Sequence, residues 1–328
     1  MTDLKFLLTT YSTAFTTSGG GESEQVQISE ILNEHGVKAD IYGVGSRPLN
    51  YYDGIIHFSV HPDGWAIVQE ALIKHKKVVL FPNVWWNESP SNLEITRITE
   101  FCNNANIIIF KSQSELNNFI QYIPIQDNKI RVLFAGISDR FLSPVDLDVF
   151  CTISDVSDFV LCMGLIEPIK NQLQVIRALN KLNMNGVFVG GMRDYEYYLQ
   201  CTKEAHAGIV FFPFIQPCSV LLRSMIANCN LMVEISLDPP ARSSLEGALL
   251  KKSLILSDGE WQREHFENDV WYAPTNSDVD LAKVIEQVVI SSVERENMIS
   301  AAYQRVIGRH TAKAFGSLFV RILAKESV

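Results

Sequence analysis

Several things are missing from this 328-residue chain, and each absence removes a class of function. No apolar run approaches the ~20 residues that a membrane-spanning helix needs. The N-terminus sets Asp3 and Lys5 around a strand-like Phe6-Leu7-Leu8, which is not the layout of a secretory leader. Positive charge is short as well. The 28 Lys and Arg face 37 Asp and Glu, and a formal charge of −9 argues against a general nucleic-acid binder. The six cysteines (Cys102, Cys151, Cys162, Cys201, Cys218, Cys229) lack metal-ligand spacing, and several sit in apolar runs, as reduced cytoplasmic thiols would. There is no tandem repeat and no low-complexity segment. No Gly-x-Gly-x-x-Gly with a suitable acid after it follows the first strand, which disfavours a nicotinamide-linked oxidoreductase.

What is present is a globular composition, 47% hydrophobic and 20% charged. A chain of this length divides into two domains, each large enough to bury a core. Short β-like runs alternate with helical patterns, which predicts an α/β fold of parallel sheets with helices on both faces. Strands are predicted near residues 4–9, 37–42, 53–59, 77–81, 106–110 and 130–133, with helices near 22–35, 63–75, 91–103 and 112–121. A second alternation starts at Phe159, with strands near 159–163, 186–190, 208–211, 231–235, 253–257 and 270–272, and long amphipathic helices follow it.

The most informative stretch is Leu231-Met232-Val233-Glu234-Ile235-Ser236-Leu237-Asp238-Pro239-Pro240-Ala241-Arg242-Ser243-Ser244-Leu245-Glu246-Gly247-Ala248-Leu249-Leu250. An apolar run ends in a loop, and a helix then opens with Glu246, eight residues after Asp238. Strand ends followed by helix N-termini are where α/β folds bind anionic ligands, because free N–H groups and the helix dipole point there. One acid could orient a sugar and the other accept hydrogen bonds from a ribose. The plainer alternative is that both carboxylates only cap and solvate a helix start.

A second such junction is Met163-Gly164-Leu165-Ile166-Glu167-Pro168-Ile169-Lys170-Asn171. The strand Val160–Met163 is broken by Gly164, and Lys170-Asn171 opens a helix with Leu173, Ile176, Ala178 and Leu179 on one side. A lysine placed there can meet a diphosphate as a point charge.

This pair of junctions resembles the nucleotide-sugar half of retaining GT-B glycosyltransferases, the large family with two acids eight residues apart (glycosyl transferases group 1). That family shows Gly-Arg-Leu, a short Pro-containing loop and Lys-Asn or Lys-Gly, then Pro-Ser, Glu-Gly-Phe-Gly and a second Glu. Gly164, Pro168, Lys170, Asn171, Ser236 and Glu246 match. Leu165 stands where the family carries a phosphate-binding arginine, Asp238 replaces the first glutamate, and Pro239-Pro240-Ala241 replaces Gly-Phe-Gly. Arg242 either returns the lost positive charge or is an exposed loop arginine. Residues 132–144 resemble the family's interdomain segment, with Gly136, Asp139, Phe141 and Pro144 in step.

The resemblance implies a GT-B fold, two Rossmann-like domains facing a central cleft. Residues 1–150 would form the acceptor domain, with a C-terminal helix in 310–328 crossing back to it, and 151–309 the nucleotide-sugar domain. Lys170, Asp238 and Glu246 would be catalytic, with Lys170 on the diphosphate and Glu246 on the ribose. Donor contacts would come from Gly20 and Gly21 in the glycine-rich turn after strand one, and from Gly164, Asn171, Gly191, Arg242 and Ser243. The backbone at Phe214-Ile215 would read the base, whereas the rings of Phe212 and Phe214 are more at home in a core. His61 and Asp63 would orient an acceptor hydroxyl, with His57 packed in its strand. Trp85 and Asn83 would offer a stacking face and an amide to a sugar, with Trp86 in the core. The histidine that relatives carry near Asn83 is missing.

The implied activity is transfer of a sugar from a nucleotide-diphosphate sugar to an acceptor hydroxyl with retention. It would need no metal and no cofactor beyond the donor co-substrate. The implied partners are the nucleotide sugar and a saccharide or lipid-linked saccharide, in bacterial surface polysaccharide or glycoconjugate synthesis. The implied location is the cytoplasm, with at most peripheral contact at the inner membrane. The basic cluster Lys74-His75-Lys76-Lys77 reads as a solvated helix end. Two alternatives share the architecture: a nucleotide-sugar epimerase and a catalytically weak nucleotide-sugar-binding protein.

Overall fold

A computed structural model describes residues 3–16, 19–239 and 242–325. It divides into two compact units, Met1–Gly136 with His310–Val328, and Ile137–Arg309. In the first unit, strands β1 (Lys5–Thr9), β2 (Lys38–Ile41), β3 (Gly54–Phe58), β4 (Lys77–Phe81), β5 (Ile107–Phe110) and β6 (Ile130–Val132) form one sheet in the order β2-β1-β3-β4-β5-β6. Every pairing is parallel. Helices α1 (Gly20–Glu34), α2 (Trp65–Ile73), α3 (Asn92–Asn104) and α4 (Gln113–Ile120) make the connections. The runs Val78-Val79-Leu80-Phe81 and Ile107-Ile108-Ile109-Phe110 are buried at every position, as strands covered on both faces must be.

Two polar side chains meet inside this sheet, Thr9 of β1 and His57 of β3. His57 is fully buried, has a ring nitrogen 2.9 Å from Thr9 Oγ1 and stacks on Phe101. Burial pushes its pKa down to about 3, so the ring is neutral and packs within its strand as the sequence suggests.

The second unit begins with α5 (Asp148–Cys151) and then repeats the alternation. Its strands are β7 (Phe159–Met163), β8 (Asn185–Val189), β9 (Ile209–Phe212), β10 (Leu231–Glu234), β11 (Ser253–Ser257) and β12 (Trp271–Ala273). Helices α6 (Gln172–Leu182), α7 (Tyr195–Glu204), α8 (Val220–Asn228), α9 (Ser243–Leu249) and α10 (Glu260–Phe266) connect them, and α11 (Asp278–Ile290) and α12 (Ser292–His310) follow. The sheet order is β12-β11-β10-β7-β8-β9, again all parallel.

The last helix, α13 (Ala312–Lys325), belongs to the first unit. Ala312, Phe315, Phe319 and Leu323 recur at helical spacing and join the core formed with Phe6, Phe81 and Ile109. Two glycines permit that seat. A Cβ on Gly136 would lie 2.6 Å from the Phe315 ring, and one on Gly316 would lie 2.5 Å from the His35 ring.

Two sequence expectations need correction. The division falls after Gly136, not at residue 150. The intervening segment packs on the second unit: the Phe150 N–H donates to Ser224 Oγ at 3.0 Å, its ring meets Phe159 and Phe212, and Arg223 donates to the carbonyls of Ser143 and Pro144. Gly20 and Gly21 are not in a turn. They form the start of α1, whose N-cap is Gly19. Thr17 and Ser18 of that run lie outside the described residues.

Candidate functional site

In the second sheet the chain runs outward from β7 through β8 to β9, then returns to place β10 on the other side of β7. The carboxyl ends of β7 and β10 therefore flank a topological switch point, the place where open parallel sheets hold ligands. Both sequence-predicted junctions meet here.

The first is built on close backbone approach. Gly164 has φ 147, a conformation that side-chain-bearing residues rarely adopt, and its N–H donates to Val189 O at 2.9 Å. The Ile166 N–H donates to Gly191 O at 2.9 Å, which zips this turn against the one after β8. Leu165 is half-buried, and a Cβ on Gly191 would lie 3.3 Å from its Cδ2. A single 3₁₀ turn, Pro168–Lys170, then sets Lys170 just ahead of α6.

The two junctions are tied to each other. The Leu237 N–H donates to Ile169 O at 2.8 Å, and the Asn171 side chain donates to Ile235 O at 3.2 Å and Thr275 O at 2.7 Å. Asn171 has φ 60 and commits its amide nitrogen to these carbonyls, so it acts as a tie between loops. That is a different task from the donor contact expected of it. Lys170 Nζ lies 2.6 Å from Asp238 Oδ2, and Ser236 Oγ donates to the Asp238 carbonyl at 2.9 Å. Among the described residues, the second Asp238 carboxylate oxygen is buried without a partner.

Two further buried acids stand beside this pair. Glu234 ends β10, and both its oxygens lie within reach of Ser243 Oγ, at 2.8 and 2.9 Å. Burial is the main force raising its pKa to about 7, opposed by the Ser243 hydrogen bond and the charge of Lys170 and reinforced by Asp238 and Glu246. Glu246 lies in the first turn of α9, and its pKa is raised by burial against the pull of Arg242.

Arg242 is not an exposed loop arginine. It caps α9 at 8% exposure, and none of its three guanidinium nitrogens has a hydrogen-bond partner among the described residues. Cys218, buried with φ 60 in the loop after β9, feels both Arg242 and Glu246, which brings that loop to the cluster. Phe214 and Ile215 precede it in the same loop, both half-buried. Pro240 and Ala241 lie outside the described residues.

The expected acceptor residues lie in the first unit and do not gather at one place. Asp63 lines a cavity of 780 Å³ at the ends of β1 and β2, with Tyr11, Phe15, Gln25, Tyr42 and Arg47. His61 sits against it, with its ring 4.8 Å from the Tyr11 ring and Nδ1 3.7 Å from Asp63 Oδ2. Asn83 and Trp85 are not in this lining. Asn83 has φ 54, Trp85 Nε1 donates to Asn87 Oδ1 at 3.2 Å, and Trp86 packs on Phe119 and Tyr122 as expected.

Sequence reasoning assigned no role to Glu234, Cys218 or Gln25. A charge inside the apolar run Leu231–Ile235 was the available signal for the first. Among the described residues no group of His, Cys, Asp and Glu could hold a metal ion, and no helix is long and apolar enough to cross a membrane.

Two parallel six-stranded sheets with this switch-point geometry define a GT-B glycosyltransferase fold, and solved structures of that class match nearly the whole chain. HepE from Anabaena, solved in complex with UDP and glucose, is similar with a TM-score of 0.80 and 14% identity, over 98% of this chain and 100% of that one. Sucrose-phosphate synthase from Thermosynechococcus elongatus is similar with a TM-score of 0.82 and 13% identity, over 98% of each chain. A glycosyltransferase from Rickettsia africae is similar with a TM-score of 0.76 and 15% identity, again over 98% of each. No protein-family model matches the chain, and no curated protein matches its sequence.

Proposed function

We propose that the protein is a glycosyltransferase that takes a sugar from a nucleotide-diphosphate donor and moves it to an acceptor hydroxyl with retention. The observation that carries this reading is the Lys170–Asp238 pair, 2.6 Å apart at the switch point between β7 and β10. The fold supports it, since HepE has been solved with UDP-glucose. In this reading the diphosphate takes Lys170 as its counter-ion, and Arg242, whose guanidinium nitrogens lack partners among the described residues, supplies the second positive charge that Leu165 does not. Glu246 holds the ribose end.

The chemistry asks little more of the protein. As the anomeric bond loosens, negative charge grows on the leaving diphosphate, and Lys170 stabilises it where it develops. The acceptor hydroxyl adds from the same face and passes its proton to the departing phosphate oxygen. No step in this scheme calls for a metal. The cavity of the first unit takes the acceptor: Tyr11 and Tyr42 offer ring faces, and Asp63 and Gln25 polar contacts. A saccharide or lipid-linked saccharide fits that mixture, as in bacterial surface polysaccharide or glycoconjugate synthesis in the cytoplasm.

The test is release of nucleoside diphosphate from a panel of UDP-, GDP-, ADP- and dTDP-sugars with glycan acceptors. Product configuration is read by NMR, and chelator is added in a parallel series. Lys170→Ala should weaken nucleotide-diphosphate binding and nearly abolish transfer while the fold stays intact. Unchanged kinetics in the folded variant would remove the central support for this site.

A further inference from the structure

Three carboxylates, Glu234, Asp238 and Glu246, share the cluster with two cations, Lys170 and Arg242. With every group ionised the cluster is already net negative, and a donor diphosphate adds at least two further negative charges. Lys170 answers Asp238 at 2.6 Å, whereas Arg242 acts on Glu246 through charge alone, with no hydrogen bond between them among the described residues. Among the described residues Glu234 has no cation at contact distance, and the cation that acts on it by charge, Lys170, is already paired with Asp238. Among the described residues its one hydrogen-bond donor is the Ser243 hydroxyl, whose single proton serves two carboxylate oxygens.

The groups facing Glu234 come from every neighbouring element. Lys170 comes from the turn before α6, Asp238 from the loop after β10, Ser243 and Glu246 from α9, and Cys162 from β7. Cys162 is itself a neutral thiol, because burial raises its pKa far above the ordinary range. An anion drawn to Lys170 therefore competes for the one cation whose charge favours both the Asp238 and the Glu234 carboxylates.

We infer that Glu234 is the proton-linked gate of the donor site, taking up one solvent proton when the diphosphate binds and holding it while the ligand is present. The inference rests on the reading that the diphosphate sits at Lys170. Proton uptake removes the carboxylate charge at the end of β10, and the new carboxyl O–H can donate where the carboxylate could only accept. The proton comes from bulk water and returns when the nucleotide leaves, so no covalent bond to the sugar is involved. Glu234 acts on the ligand through charge, which makes it a positioning residue.

Sugar nucleotides are suitable probes, because their diphosphate diesters have no ionisation near neutral pH. UDP-glucose, GDP-mannose and ADP-glucose are titrated into the full chain by calorimetry at pH 7.5, in phosphate and in Tris, whose heats of ionisation differ. For the probe that binds, the difference in heat should report uptake of between half a proton and one. Its Kd should rise about tenfold per pH unit above 7. Glu234→Gln should abolish the buffer difference and flatten the pH profile. Binding with buffer-independent heat in the wild-type protein overturns the inference and leaves the proposed function standing. If neither these sugar nucleotides, nor dTDP-glucose, nor the free diphosphates UDP, GDP, ADP and dTDP bind, both fall. The wild-type measurement decides between these outcomes even if the Gln variant does not fold.

Discussion

Gly190 lies so close to Gly164 that a methyl group on it would fall inside the van der Waals sphere of the Gly164 carbonyl oxygen. The turns after β7 and β8 are thus pressed together by two residues without side chains. Gly191, one residue on, is less crowded: its Cβ would lie 3.3 Å from a flexible Leu165 methyl.

This contrast gives the first prediction. Gly190→Ala should cost about 1–3 kcal/mol or more, as overpacking does, and should impair nucleotide binding by displacing Gly164. Gly191→Ala should cost clearly less. Urea denaturation of the two variants checks the ranking, and equal stabilities would mean the turns are not in contact.

Arg242 and Glu246, both buried, should be coupled through charge. Arg242→Ala removes the charge that favours the Glu246 carboxylate and should cost stability at neutral pH. Adding Glu246→Gln should recover most of that loss, though not ribose binding. A double-mutant cycle on urea midpoints measures the coupling. Adding Leu165→Arg to Arg242→Ala should restore part of the transfer rate, since it returns a cation beside Lys170.

Stability should fall with rising pH through the acid range of Glu234. Its folded pKa, about 7, lies above the ordinary 4.5, so the folded state binds more protons between those values. The stabilising effect is complete below about pH 4.5 and is lost as pH rises through 7. Glu234→Gln removes this term and should be more stable than wild type at pH 8, by roughly 3 kcal/mol at most. The difference between the two proteins should shrink toward pH 5. Thermal melts across pH 5–8 give the comparison, and a constant difference would place the titrating group elsewhere.

Phe319 stacks edge-on against Phe81 in the first unit. Phe319→Ala should cost about 3–5 kcal/mol, the loss expected for a large buried aromatic. Exposed Leu318, its neighbour, should tolerate the same change with little effect. Chemical denaturation distinguishes them.

The strands were legible because each is a short apolar run bounded by polar or glycine-rich segments. All twelve fall within a residue or two of where the sequence places them. The meeting of Lys170 and Asp238 was legible as far as each follows a strand end by a short loop, which brings both to the switch point. Other parts depended on distant chain. Asn171 is tied to Thr275, 104 residues away, and no local pattern carries that contact. Glu234 sits in the quoted stretch, but its burial at the switch point depends on β7, the turn that carries Lys170, and α9, which no local pattern brings together. Gly20 and Gly21 misled for the opposite reason. Glycine is permissive, so the same letters suit a turn or the first turn of a helix.

The return of α13 to the first unit has a consequence for synthesis on the ribosome. The face of the first sheet that Phe315, Phe319 and Leu323 cover stays open until the final helix has been translated. Unit 2 is continuous in sequence and waits for nothing. At about 5–20 residues per second, the first unit stands without its last helix for roughly ten to forty seconds. The usual vectorial order is therefore reversed in this chain: the unit that emerges first is the one completed last, and a ribosome stalled before Ala312 would hold an unsealed, chaperone-seeking nascent domain.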